Sequence, residues 1–294
     1  MNKKNLNFIF FGTPDVASET LEILKQNGYL PKLIITSPDA KSGRGLQMQS
    51  STVAIFAEKN NISCLKPENN TELLSVFSSK ELSLAVRNEK KLKKVLYDLS
   101  IVVAYGKILS EEILNMPKLG SINIHYSLLP KYRGASPLES TILNGDTETG
   151  VTIQKMKLKM DSGPIIAVEK VAIYPTEKTP ELKNRLIKIG GELLIQTLEK
   201  ITKGKIKLIQ QNEKEATFCK KIKKEDGLIN LNDNAIKNYN KFRAYFSWPR
   251  TFFFQKEKRI IITDAILENG EFIIKKVLPE GKKEILWEEF KKQN

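Results

Sequence analysis

The sequence predicts an α/β protein: a doubly wound parallel sheet fills the first two thirds of the chain, and a smaller OB-like β-barrel domain follows. Three observations carry this. Short apolar runs (Leu6–Phe11, Leu33–Thr36, Ser63–Leu65, Leu99–Ala104, Ser121–His125) alternate with helix-patterned stretches, the pattern of a parallel sheet covered on both faces. After residue 215 the pattern changes to closely spaced β-like runs, Thr251–Phe254, Arg259–Asp264 and Glu271–Val277, at barrel-like intervals. At 294 residues the chain exceeds one ordinary domain of about 100–200 residues, so two are expected.

The elements follow in order. Leu6–Phe11 reads as a buried strand ending at Gly12, and Asp15 can cap the helix after it, which stops at Asn27-Gly28. The polar stretch 37–51 is long for a loop, and loops of that length are often functional. Residues 52–59 resume as helix, and residues 70–98 are lysine-rich and helical in pattern. Thr179-Pro180-Glu181 opens a helix with a cap, a first-turn proline and an early acid, and Leu182, Leu186, Ile189, Leu193 and Leu198 trace one face up to Gly204. The expected division is a first domain at 1–204, a polar linker at 205–214 and a second domain at 215–294, closed by a charged helix at 282–292.

Composition excludes several classes. No apolar run reaches the about 20 residues that span a bilayer, and the N-terminal residues lack the apolar core of a secretory signal. Cys64 and Cys219 are too few and too far apart for a disulfide framework and fit a reducing cytoplasm. One histidine in the chain rules out a histidine-rich metal site, and no metal is expected. The net charge of +14 fits a polyanionic partner, although a lysine-rich genome would produce it too. Between residues 203 and 259 there are 15 Lys and Arg against 6 Asp and Glu, which concentrates the excess in the second half. Dinucleotide binding is disfavoured, because Gly12-Thr13-Pro14 has a single glycine and the second strand ends without an acid.

The informative segment runs from Gly120 to Pro130. Side chains alternate along a strand, so Ile122 and Ile124 share one face while Asn123 and His125 share the other. A polar pair on a strand made for burial is costly unless it is hydrogen-bonded or used. The pair sits at a carboxyl end, where open α/β sheets bind ligands. Imidazole can move a proton, and a carboxamide can donate a fixed hydrogen bond to a developing oxyanion. Asp161, in the Met160-Asp-Ser-Gly-Pro164 loop, could orient the imidazole. Taken alone, these residues fit a satisfied structural pair and a turn-forming aspartate at least as well as a catalytic set.

Together the segments resemble the formyltransferase family that uses 10-formyltetrahydrofolate. The Asn-x-His strand end, Ser127-Leu-Leu-Pro130 and the Met160-Asp-Ser-Gly163 loop occur in that family's order and spacing. Phe11-Gly-Thr-Pro-Asp15, Ser42-Gly-Arg-Gly45, Val103-Ala-Tyr-Gly106, Lys131-Tyr-Arg-Gly134 and Phe246-Ser-Trp-Pro249 extend the resemblance to members that act on charged tRNA. Tyr126 departs from it, standing where the family carries a small residue, and residues 76–94 read as an insertion.

The resemblance implies a Rossmann-like catalytic domain and an OB-like second domain that adds a basic surface for tRNA. It implies that Asn123, His125 and Asp161 are catalytic, that Ser127, Leu128, Leu129 and Pro130 bind the folate, and that Arg44 meets the tRNA acceptor stem. The implied reaction moves the formyl group of 10-formyltetrahydrofolate to the α-amine of methionine on initiator tRNA, in a cytoplasmic monomer without a metal or a membrane partner. A sugar-nucleotide N-formyltransferase would share the first domain and its chemistry. A non-catalytic RNA-binding protein would explain the charge but not Asn123, His125 and Asp161.

Overall fold

A computed structural model of the chain describes residues 6–42, 47–78 and 97–292. Arg44 and most of the 76–94 segment lie outside the described residues.

The elements in chain order are β1 (Phe8–Gly12), α1 (Asp15–Gln26), β2 (Leu33–Ile35), β3 (Ala40–Ser42), β4 (Gln47–Gln49), α2 (Thr52–Lys59), β5 (Cys64–Leu65), α3 (Asn70–Ser78) and β6 (Leu99–Val103). There follow α4 (Glu111–Asn115), β7 (Ser121–His125), β8 (Arg133–Gly134), α5 (Pro137–Leu143), β9 (Glu148–Lys155), β10 (Ile165–Ala172) and α6 (Thr179–Thr202). The rest comprises β11 (Phe218–Cys219), α7 (Ala235–Ala244), β12 (Phe252–Gln255), β13 (Lys258–Glu268), β14 (Glu271–Pro279), β15 (Ile285–Leu286) and α8 (Trp287–Lys292).

The large sheet has the strand order β10-β9-β7-β6-β1-β2-β5. From β1 the chain runs outward through β2 to β5 and then returns to the other side of β1 with β6. The switch point therefore lies where Gly12 and Val103 sit side by side, and His125 ends the next strand along. β1, β2, β5, β6 and β7 are parallel, as the buried runs predict, but β9 pairs with β7 antiparallel and makes the sheet mixed. Gly12 packs tightly: a Cβ there would lie 2.5 Å from the Cβ of Ala17 and 3.0 Å from the Val103 carbonyl. That close approach of α1 explains the glycine without a phosphate cradle.

Two helix starts differ from expectation. Asp15 is the first residue of α1 rather than its cap, and its carboxylate accepts from the adjacent Val16 N–H at 2.8 Å. Thr179 does not cap α6. Its hydroxyl donates to the Ala244 carbonyl at 2.7 Å, and the Glu181 carboxylate accepts from the Lys178 N–H at 2.9 Å instead. The polar stretch 37–51 also contains a short ladder, in which β3 and β4 pair antiparallel with Ala40 opposite Gln49.

By contacts the chain divides into two compact units: residues 1–125, 151–169 and 187–213 in one, and residues 126–150, 170–186 and 214–294 in the other. Segments 126–150 and 170–186 thus group with the C-terminal residues, a finer partition than the linear division at 204–215. In the second unit β12, β13, β14 and β15 form a four-stranded antiparallel sheet, and Phe242, Phe253, Ile260, Ile262, Val277 and Phe290 belong to its core. The closing helix is shorter than 282–292. Ile285 and Leu286 pair with β14 as a strand, so the helix begins only at Trp287.

In the first unit Ile9, Phe11, Leu33, Ile35, Tyr97 and Tyr105 share one core. Burial pushes the Tyr97 and Tyr105 phenols up to about 12, with Glu72 adding to the rise at Tyr105. Their folded pKa is above the unfolded value of about 10. Their contribution to stability is therefore complete below pH of about 10 and is lost as the pH climbs through about 12. The melting temperature should fall across that window in step with tyrosinate absorbance, and Tyr97→Phe with Tyr105→Phe should flatten the fall. An equally steep fall in the double variant would show that other groups cause it.

Candidate active site

β7 lies between β6 and β9, with Asn123 opposite Val102 on one side and Gln154 on the other, and His125 opposite Thr152. Ile122 and Ile124 are buried on one face, as alternation predicts. On the other face His125 is buried and Asn123 half-buried. The Asn123 amide donates to the Val102 carbonyl at 3.1 Å, which uses one of its two N–H groups.

Asp161 reaches the same place from the loop after β9. It holds a left-handed backbone, φ +50°, which side-chain-bearing residues seldom adopt unless the surroundings hold them there. Its Oδ2 lies 3.7 Å from His125 Nδ1. Its Oδ1 accepts a 2.8 Å hydrogen bond from Gln154 Nε2, and the same Nε2 lies 3.5 Å from Asn123 Oδ1. The structure therefore brings Asn123, His125 and Asp161 together around a fourth, buried residue, Gln154. Gln211 completes the arrangement, its Nε2 donating to the Asp161 carbonyl at 2.8 Å and the Gly163 carbonyl at 2.6 Å.

Sequence reasoning missed Gln154, although its signal was the one that marked Asn123. In Val151-Thr-Ile-Gln154 polar residues alternate with apolar ones, and all four are buried. Gln211 carried no local signal, because its partners lie 48 and 50 residues away.

A pocket of about 120 Å³ opens beside Asp161 and Gln154, with Ile108, Leu109, Leu114, Met156, Leu158 and Met160 as its apolar walls. Lys107 at its rim donates to the Pro67 and Glu68 carbonyls at 2.7 and 2.9 Å. An imidazole, a carboxamide and a carboxylate beside an apolar slot can donate to a developing oxyanion and relay a proton.

Ser127, Leu128, Leu129 and Pro130 belong to the other unit. There the Ser127 hydroxyl donates to the Lys131 carbonyl at 2.6 Å, Leu129 is buried, and Leu128 borders a polar pocket of about 310 Å³ with Lys131, Tyr132, Asp146 and Thr149. The β3–β4 ladder leads into and out of the segment that contains Arg44, and Lys66 ties the approach to it by pairing with Asp39 and donating to Ser50 Oγ at 3.1 Å. Among the described residues no group of three or more His, Cys, Asp or Glu could hold a metal ion, and no helix is long and apolar enough to cross a membrane.

Residues 4–198 match the family described as formyl transferase, and residues 221–286 match the formyl transferase C-terminal domain. A methionyl-tRNA formyltransferase of Thermotoga maritima is 39% identical over 90% of this chain and 82% of its own length. The solved structure of a methionyl-tRNA formyltransferase from Clostridium thermocellum superposes with a TM-score of 0.60 at 19% identity, covering 93% of this chain and 98% of that one. An N-formyltransferase from Helicobacter canadensis, in complex with folinic acid and dTDP-3-aminofucose, shares the fold with a TM-score of 0.64 at 20% identity, over 90% of this chain and 88% of that one. The chain belongs to the formyl transferase family.

Proposed function

We infer that this formyl transferase moves the formyl group of 10-formyltetrahydrofolate to the α-amino group of methionine on initiator tRNA, the modification that precedes translation initiation. The observation that carries the reading is the 39% identity to a methionyl-tRNA formyltransferase across nine tenths of the chain. The folate supplies an activated formyl group on a nitrogen leaving group. Asn123, through its remaining N–H, and His125 hold the negative charge that builds on the formyl oxygen as the uncharged amine attacks. Asp161, beside His125 Nδ1, orients the imidazole; together they pass the proton lost by the amine to the folate nitrogen, which leaves as the tetrahedral intermediate collapses. The apolar slot beside Asp161 suits a heteroaromatic ring. Ser127, Leu128, Leu129 and Pro130 are assigned to folate binding on the sequence resemblance alone.

Basic residues support the tRNA as acceptor. Lys220, Lys221, Lys223 and Lys224 form an exposed run in the part we assign, from residue 215 onward, to tRNA binding. Arg44, between Gly43 and Gly45, is assigned by this reading to the tRNA acceptor stem: arginine is a residue type that binds phosphates and base edges, and flanking glycines suit a close backbone approach.

The test is formyl transfer from 10-formyltetrahydrofolate to charged initiator tRNA, compared with an amino-sugar nucleotide. We expect transfer to the tRNA. Arg44→Ala should lower that transfer at least about tenfold, about 1.4 kcal/mol in the transition state, with folate affinity unchanged. Full tRNA formylation by Arg44→Ala would remove Arg44 from the contact, and transfer to the sugar alone would overturn the acceptor.

A further inference from the structure

We propose that Gln154 is the positioning residue of the reaction, holding the Asp161 carboxylate in place for His125 while Gln211 holds the loop that carries it. The inference rests on the formyl-transfer reading and goes beyond it, because neither glutamine belongs to the Asn-x-His and Asp-Ser-Gly signature.

The geometry fixes which way the Gln154 amide faces. Its Oε1 meets two donors, the Gly163 N–H at 3.2 Å and Gln211 Nε2 at 3.5 Å. A flipped amide would set its NH₂ against both of them and its oxygen against the Asp161 carboxylate, so only the stated orientation satisfies every group. Nε2 is thereby committed to Asp161 Oδ1, which leaves Oδ2 as the oxygen nearer His125. The same Nε2 reaches the long limit of a hydrogen bond to Asn123 Oδ1. One amide thus ties the two flanking members of the trio to each other, from a strand position directly opposite Asn123.

Gln154 is 2% exposed, so little water can replace its donor if the side chain is shortened or made apolar. Gln211 does a different job, because its bonds go to the Asp161 and Gly163 main chain. It holds the loop in its left-handed turn and leaves the carboxylate to Gln154.

The test compares Gln154→Leu and Gln154→Glu with the parent in the formyl-transfer assay across pH, with melting curves to verify folding. Gln154→Leu should lower kcat on the order of tenfold or more with little change in KM for the folate. Gln154→Glu sets a second carboxyl against Asp161, and two carboxyls this close share a proton. Its activity relative to the parent should therefore recover as the pH falls, because the shared proton restores the missing donor. The relative activity of Gln154→Leu should stay flat, since leucine has no donor to regain. A purely structural role would make both ratios flat. His125 is the only histidine in the chain, so its ring titration can be followed by NMR in parent and variants. A shifted His125 titration in Gln154→Leu supports the proposal. An unchanged titration, an undiminished kcat in Gln154→Leu, or flat ratios for both variants would each overturn it. A parent with no formyl transfer would fail the function reading instead, and the His125 titration would still decide for or against Gln154.

Discussion

His125→Ala should fold like the parent and lose at least about 100-fold in turnover. The imidazole sits at the carboxyl end of β7, and its loss leaves the register with Thr152 and the buried Ile122–Ile124 face intact. On the proposed mechanism two functions disappear with it: a donor to the formyl oxygen and a carrier for the amine proton. Asp161→Ala should cost a similar amount, because an imidazole without its partner at Nδ1 loses its orientation. The more demanding part is the double variant. Residues that act as a unit are strongly non-additive, so His125→Ala with Asp161→Ala should be scarcely slower than either alone. Single-turnover rates with charged tRNA measure this directly. If the two losses multiplied, the residues would be acting independently, and the relay proposed here would be wrong.

How far the sequence revealed this site follows from where each residue finds its partners. Asn123 and His125 were legible because strand alternation is local, and a polar pair opposite Ile122 and Ile124 stands out within five residues. Asp161 was visible as an acid in a turn-forming loop, but nothing local says that its backbone is left-handed or that its carboxylate meets His125. Gln211 lay in a segment read as a linker, because a polar run with distant partners looks the same as one with none. The parallel part of the sheet followed from continuous apolar runs. The antiparallel pairing of β9 did not, since a run buried on both faces carries no mark of direction. The partition into units was illegible for the same reason: residues 126–150 and 170–186 pack with the C-terminal residues through pairs such as Gly134 with Cys219, which are far apart in sequence.

Gly163→Ala should be nearly as damaging as His125→Ala while altering none of the three residues we propose as catalytic. A Cβ at Gly163 would lie 1.6 Å from the Lys155 carbonyl oxygen and 2.8 Å from its carbon. The carbonyl cannot retreat. Lys155 is paired with Ile122 across β7, and its N–H donates to the Pro164 carbonyl at 2.9 Å. The loop must therefore move, and a tolerable contact of about 3 Å or more requires a shift exceeding about 1 Å. That shift stretches the Gly163 N–H bond to Gln154 and the Gln211 bond to the Gly163 carbonyl, the contacts that hold Asp161 two residues away. A misplacement of about 1 Å at a reacting group can cost about 100-fold, so kcat should fall by about that factor with tRNA affinity preserved. Stability should drop by about 1–3 kcal/mol, the usual cost of forcing an extra methyl into a packed site. Ser162→Ala is the control. It removes only a hydroxyl that donates to the Lys159 carbonyl at 2.8 Å, and turnover should stay close to the parent's. Full activity in Gly163→Ala would show that the loop can shift without disturbing the chemistry, and would count against Asp161 having to be held where Gln154 and Gln211 hold it.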